Sequence, residues 1–273
     1  AAFNPVRPIL NIVLNNRDHR KILVIDGHTG YTGGVNLADE YINEKMRFGH
    51  WKDTGVRLVG EGVWNLTVMF LQMWSLPAYG PYVYHPEEFE SDGFVQPYGD
   101  SPLDGEVVGE NVYLNIINQA QKYVYIATPY LIIDNEMMTA LCLASKKGVD
   151  VRIITPGIPD KKLVFLLTQS YYQQLLSAGV RIYEYTPGFI HAKNFVCDDE
   201  LAVVGTINLD YRSLYLHFEC AAWLYKCSAV AQVKEDMTET FSVCKEITLD
   251  VCRRQNVLQR GMQSILRLFA PML

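Results

Sequence analysis

His19, Lys21 and Asp26 stand in the pattern His-x-Lys-x4-Asp, and His191, Lys193 and Asp198 repeat it. In both copies six residues separate the aspartate from a glycine, Gly33 and Gly205. Two more separate that glycine from an asparagine, Asn36 and Asn208. At ordinary residue frequencies a single His-x-Lys-x4-Asp is expected at roughly one position in ten thousand. A second copy with the same downstream Gly and Asn therefore marks an internal duplication rather than a coincidence of surface residues.

These residue types in this order suit exchange at a phosphodiester. Residues i and i+2 of a strand share a face, so each histidine should emerge beside its lysine, a nucleophile or acid next to a fixed cation. By the same parity Asp26 and Asp198 should leave on the other side or sit in the following turn. A structural hydrogen-bonding role fits them better than attack on substrate. Gly33 and Gly205 permit a tight turn or a close backbone approach, after which Asn36 and Asn208 can return as neutral donors to a phosphate oxygen.

If the two copies meet about a pseudo-two-fold axis, one phosphorus can sit between them. One imidazole attacks while the other protonates the departing alkoxide and later deprotonates the incoming hydroxyl. Lysines and asparagines then stabilise the extra negative charge. A histidine nucleophile must be neutral and held in one tautomer by a carboxylate or carbonyl on its other nitrogen. Glu219 and Asp53 are candidates for that role, and ordinary surface acids is the alternative reading of both. His28, His50, His85 and His217 lack the lysine pairing and are expected to be structural or solvent-exposed. No carboxylate cluster suggests a metal, and no metal or other cofactor is expected.

The elements that must carry the second copy are legible. Strands are expected at 123–128, 149–155 and 180–185, from short β-branched and aromatic runs. Helices are expected at 135–147 and 161–177, each followed by a glycine stop, Gly148 or Gly179. This alternation implies an α/β fold in which a mixed, mostly parallel sheet is flanked by helices. The boundaries expected are a first half over 1–90 and a second half with a C-terminal helix over 91–273. They are joined by a connection rich in Pro, Gly, Tyr and acids from Pro77 to Gly105, with one strand at Phe94 to Pro97. The first copy lacks the run-up of the second. Phe3-Asn4-Pro5 resembles Tyr185-Thr186-Pro187, so the chain is expected to begin inside the strand before the motif, with about fifty residues of the first half upstream. Glu235 to Phe269 has helical periodicity and a cationic face of Arg253, Arg254, Arg260 and Arg267. It reads either as a solvated face or as a contact for anionic headgroups.

Composition narrows the function classes. The chain has 273 residues, 49% hydrophobic and 20% charged, with formal net charge -6, which is ordinary globular composition and disfavours a general polyanion binder. Its six cysteines have no zinc spacing and read as reduced thiols in a cytosolic setting. No signal peptide is visible. The longest apolar run, Val63 to Leu76, is broken by Asn65, Thr67, Gln72 and Ser75 and suits a core or interfacial helix rather than a membrane span.

The repeated pattern resembles the phospholipase D superfamily, and within it the bacterial cardiolipin synthases. The supporting strings are Phe-Asn-Pro-Val-Arg-Pro at 3–8, Asn-Asn-Arg-Asp-His-Arg-Lys at 15–21, Tyr-Thr-Gly-Gly-Val-Asn at 31–36 and Trp-Lys-Asp-Thr at 51–54. Thr-Pro-Tyr at 128–130, Gly-Phe-Ile-His-Ala-Lys at 188–193, Val-Gly-Thr-Ile-Asn-Leu-Asp-Tyr-Arg-Ser at 204–213 and Phe-Glu at 218–219 extend the likeness along the chain. The resemblance implies transfer of a phosphatidyl group from one phosphatidylglycerol to a histidine and then to a second phosphatidylglycerol, giving cardiolipin and glycerol. It implies that Asp53 and Glu219 support His19 and His191 respectively. It also implies a cell-membrane enzyme with its catalytic part in the cytoplasm, hydrophobic anchor segments upstream, a membrane surface as partner and no nucleic acid. The motif specifies the bond and not the acceptor, so a phosphatidylserine synthase-like transferase or a phospholipase stays open. A nuclease and a non-catalytic lipid-binding fragment are the further alternatives.

Overall fold

A computed structural model describes residues 16–74, 89–254 and 256–272. The proposed opening strand and the string at 3–8 lie outside these residues, as do His85 and the first part of the connection.

The first half supplies β1 (Leu23–Ile25), β2 (Thr29–Gly33), β3 (His50–Lys52), β4 (Gly55–Val59) and α1 (Val63–Met73). Strands β1, β2 and β4 form a three-stranded antiparallel sheet. The apolar run is thus a helix, and it buries Val63, Leu66 and Met69 in the core.

The second half begins with β5 (Phe94–Asp100) and α2 (Val108–Gln119), then β6 (Tyr123–Ala127), β7 (Leu131–Ile132) and α3 (Asn135–Lys146). Next come β8 (Asp150–Pro156), α4 (Lys162–Ser177), β9 (Arg181–Tyr185) and β10 (Gly188–Ile190). The Asp134 carboxylate starts α3 by accepting from Met137 N at 2.8 Å, and Gly148 and Gly179, at φ 96° and 98°, end the two helices. The motif region follows with β11 (Asn194–Cys197), β12 (Leu201–Gly205), β13 (Leu209–Asp210), α5 (Tyr211–Tyr215) and β14 (Glu219–Tyr225). The chain then forms α6 (Ser228–Ser242), β15 (Cys244–Ile247), α7 (Leu249–Arg253) and α8 (Val257–Leu268).

Eight strands make the main sheet, in the order β15-β9-β8-β6-β11-β12-β14-β5. One of its faces packs under α2, α3 and α4. The other meets the first half: Leu58, Val63, Leu66 and Met69 share one apolar core with Ala127, Val196, Ala222 and Val230.

The α/β class and the mixed sheet match the expectation, but the balance of strand directions is a correction. Within the main sheet only β6–β8 and β8–β9, the pairs joined by helical crossovers, run parallel. The other five pairs are antiparallel, β11 and β12 as a hairpin closed through the short turn at 198–200, where no crossover intervenes. The expected helix over 235–269 is also interrupted. Residues 244–247 leave the helix and pair with β9, Cys244 opposite Tyr185 and Ile247 opposite Ile182. That partner's exposed edge could not be read from local periodicity.

Both motif aspartates occupy hairpin turns with left-handed backbone, each at φ 53°. Asp198 accepts from Gln121 N at 2.7 Å, Lys122 N at 2.9 Å and Tyr123 N at 2.8 Å, tying the β11–β12 turn to the start of β6. Desolvation pushes its carboxyl up, and the three amides outweigh it and hold the group below the usual carboxylate range. Asp198→Ala should cost about 2 kcal/mol, read as a Tm drop of roughly 4–8 °C. Because the folded pKa is depressed, this stability is present above the unfolded aspartate value. It is lost as pH falls through the folded one, so the Tm difference between the parent protein and the variant should shrink in acid. An unchanged Tm at neutral pH would contradict this role.

Candidate active site

Each histidine is aimed by a strand from the opposite half. His19 N–H donates to Phe218 O at 2.9 Å, and Phe218 N–H donates to Arg17 O at 2.8 Å, so the chain before β1 runs beside the start of β14. The second site mirrors this: β10 pairs with β3 in parallel register, and His191 N–H donates to Lys52 O at 2.7 Å. The next residue on each partner strand is an acid. His19 Nδ1 lies 2.9 Å and 3.0 Å from the two Glu219 carboxylate oxygens. His191 Nδ1 lies 2.7 Å from Asp53 Oδ2. The pairing is therefore crossed: Glu219 serves His19 and Asp53 serves His191. The resemblance implied Asp53 with His19 and Glu219 with His191, and that assignment is corrected. The physical reason is the strand pairing just described, which places each acid beside the pre-histidine segment of the other half.

The rings also mirror one another. Trp51, two residues before Asp53, has its ring 5.3 Å from that of His191. His217, two residues before Glu219, has its ring 5.8 Å from that of His19. His217 was expected to be structural or solvent-exposed, and instead it faces the site. Only its position relative to Glu219 could have signalled this.

His19 and His191 line one cavity of about 220 Å³. Asn36 and Asn208 line it too, with His217, Tyr41 and Tyr130. Lys161 and Arg212 contribute cations to its wall. A larger cavity, about 990 Å³ between β4 and residues 89–95, has no histidine in its wall. The Asn36 amide donates to Tyr41 OH at 2.5 Å and the Asn208 amide to Ser213 Oγ at 3.0 Å. Each amide nitrogen carries two hydrogens, so one of each remains for an anion. Asp210, buried in the same wall, caps α5 through Ser213 N at 2.9 Å.

The lysines stand behind the imidazoles rather than in the cavity wall. Lys21 Nζ donates to His19 O at 2.5 Å, and Lys193 Nζ donates to His191 O. Lys193 is fully buried, 2.9 Å from His191 Nδ1. A carboxylate has only acceptors, so the ring proton belongs on Nδ1 with Asp53 as acceptor, and the Lys193 ammonium directs its hydrogens to His191 O rather than to that nitrogen. The Nε2 lone pair is then free for the cavity.

Burial sets the charge states. It pushes His191 down to about 4, with the Lys193 charge adding to the effect and Asp53 opposing it, so this imidazole is neutral at physiological pH. Burial likewise lowers Lys193 to about 7. Glu219 is wholly buried, which alone would raise its pKa. The His19 ring, with the His217 ring 3.6 Å away and a hydrogen bond from Thr206, overcomes this and holds it at about 2. A neutral imidazole with a fixed tautomer beside an ionised carboxylate can attack phosphorus or relay a proton.

Residues 113–241 match the family described as cardiolipin synthase, PLD-like domain. The likeness to the phospholipase D superfamily carried by the two motifs is thus met again over the second half of the chain. A protein of Streptococcus mutans described as uncharacterized is 53% identical over 99% of this chain and 60% of its own length. Cardiolipin synthase 2 of Bacillus anthracis is 40% identical over 99% of this chain and 54% of its own length. The chain thus spans little more than half of these relatives. The crystal structure of phosphatidylserine synthase from Haemophilus influenzae superposes with a TM-score of 0.68 at 17% identity, covering 93% of this chain and 69% of that one, a likeness of fold.

Among the described residues, His19, His217 and Glu219 are the group whose ligand atoms, all within 4.8 Å of one another, could approach a metal ion. Glu219 is already engaged by His19 Nδ1 and Thr206 Oγ1. A cation there would compete with the bond that orients His19.

Glu219→Gln and Asp53→Asn keep shape but remove the ionised acceptor that fixes each tautomer. Each should lower kcat by roughly 10²–10⁴ with little change in KM. A variant with near-parental kcat would show that the tautomer does not depend on its carboxylate.

Proposed function

We propose that the protein carrying this chain is a phosphatidyltransferase of cardiolipin synthase type, working at the cell membrane with its catalytic part in the cytoplasm. In this reading residues 1–90 and 91–273 are the two halves of one catalytic unit. The observation that carries it is a single cavity lined by two imidazoles, each held through Nδ1 by a carboxylate from the other half.

In the first step one histidine Nε2 attacks the phosphorus of phosphatidylglycerol. A P–N bond forms, the P–O bond to glycerol breaks, and the second histidine, entering as an imidazolium with a proton on each ring nitrogen, gives its Nε2 proton to the departing alkoxide. In the second step that histidine takes the proton from a hydroxyl of another phosphatidylglycerol. The resulting oxygen displaces the imidazole, releasing cardiolipin and restoring both rings. Asn36 and Asn208 donate to the equatorial phosphate oxygens, while Lys21 and Lys193 act electrostatically from behind the rings. Asp26 and Asp198 keep their turns. The 40% identity with Cardiolipin synthase 2 of Bacillus anthracis supports cardiolipin as the product.

Turnover of labelled phosphatidylglycerol by the full-length enzyme tests this. Cardiolipin and glycerol are the expected products, and phosphatidic acid as the sole product would reject the transferase reading. His19→Ala and His191→Ala should each reduce turnover by about three orders of magnitude or more. Near-parental activity in either would contradict the paired site.

A further inference from the structure

Residues 251–273 contain Arg253, Arg254, Arg260 and Arg267 and no Asp, Glu or Lys. Within them α8 is mounted with its polarity reversed. The side chains turned toward the protein are Gln263, which is buried, and the half-buried Gln259 and Leu266. Those turned outward are Leu258, Met262, Ile265 and Phe269, spaced i, i+4, i+7 and i+11 along one stripe, with Leu268 beside them. Leu258 and Leu268 are 82% and 78% exposed. A helix that hides glutamines and shows water a continuous apolar stripe calls for a second apolar phase.

The position of α8 and the charge beside it say which phase. The helix packs on α4, and the turn after it, Ala270–Met272, packs on α5. These two helices bring Val164 and Arg212 to the wall of the site cavity. That cavity, at about 220 Å³, is smaller than the roughly 300–1,000 Å³ pockets that enclose drug-sized ligands. The two acyl chains of a diacyl phospholipid must therefore stay outside it. An apolar stripe flanked by Arg253, Arg254 and Arg260, in a segment whose one acid is Asp250, matches an anionic lipid surface. We propose that α8 is an interfacial helix. Its Leu258–Met262–Ile265–Phe269 stripe enters the acyl region of a bilayer that contains anionic phospholipid, and Arg253, Arg254 and Arg260 meet the headgroup phosphates, while Arg267 stays over the Tyr171 ring. The choice of lipid rests on the proposed function, and the stripe and its charge do not.

The test places a nitroxide on Met262→Cys in the full-length protein, with the unsubstituted protein labelled in parallel to subtract the native thiols. Accessibility to oxygen and to a water-soluble nickel chelate is measured in phosphatidylcholine vesicles with and without phosphatidylglycerol. With phosphatidylglycerol the label should gain oxygen and lose nickel accessibility. Replacing Arg253, Arg254 and Arg260 by Gln should shift the ratio of inserted to water-exposed label about ten-fold or more toward water. A label exposed to nickel in both vesicle types overturns the proposal. So does a label immobile and shielded from both reagents regardless of lipid, because a second copy or another part of the polypeptide would then cover the stripe. Insertion that ignores phosphatidylglycerol also overturns it. His191→Ala should insert like the parent, so lost turnover with retained insertion, or the reverse, separates this proposal from the proposed function.

Discussion

The site depends on one reciprocal constraint: each imidazole is held by a carboxylate that belongs to the other half. Glu219 reaches His19 and Asp53 reaches His191, through Nδ1 contacts of 2.9 Å and 2.7 Å. Neither half can orient its own ring. A wholly buried Glu219 is costly to ionise alone, and it is ionised because His19, His217 and Thr206 converge on it. The same bonds that offset this burial select the tautomer that leaves each Nε2 facing the cavity. Fold stability and chemical readiness are thus one set of contacts.

Backbone pairing sets the precision of that constraint. The bonds from His19 N–H to Phe218 O and from His191 N–H to Lys52 O fix the height of each ring. Two glycines let β2 and β12 approach the backbone just after Asp53 and Glu219. A Cβ on Gly205 would stand 2.3 Å from Ala221 Cβ, and one on Gly33, at φ 151°, would stand 2.4 Å from Thr54 O. Close approach, rather than a turn, is therefore what these positions require. The equivalence of the two halves stops at Trp51 and His217, where one site has an apolar ring and the other a third imidazole.

Much of this was legible in the chain because the repeat is strict. The two motifs, their Gly and Asn followers, the helices α3 and α4 and the strands around them follow from spacing and local pattern. The turn was one of the two placements that strand parity left for Asp26 and Asp198. What escaped was long-range. Which carboxylate serves which histidine is decided by β3 meeting β10 and by Phe218 meeting Asp18, pairings between segments far apart in sequence. The lysines were placed beside their histidines, but their burial behind the rings depends on packing that no window of sequence contains. Strand β15 was hidden inside a helical periodicity because its reason to exist is the edge of β9.

The central claim is that two imidazoles act on one phosphorus, and a crystal structure of the full-length protein with orthovanadate tests it most directly. The account predicts vanadium bonded to Nε2 of one of His19 and His191, with the opposite apical oxygen within about 3 Å of Nε2 of the other. Equatorial oxygens should meet Asn36 and Asn208. Vanadate bound at one histidine with the other turned away, or bound in another cavity, would contradict it.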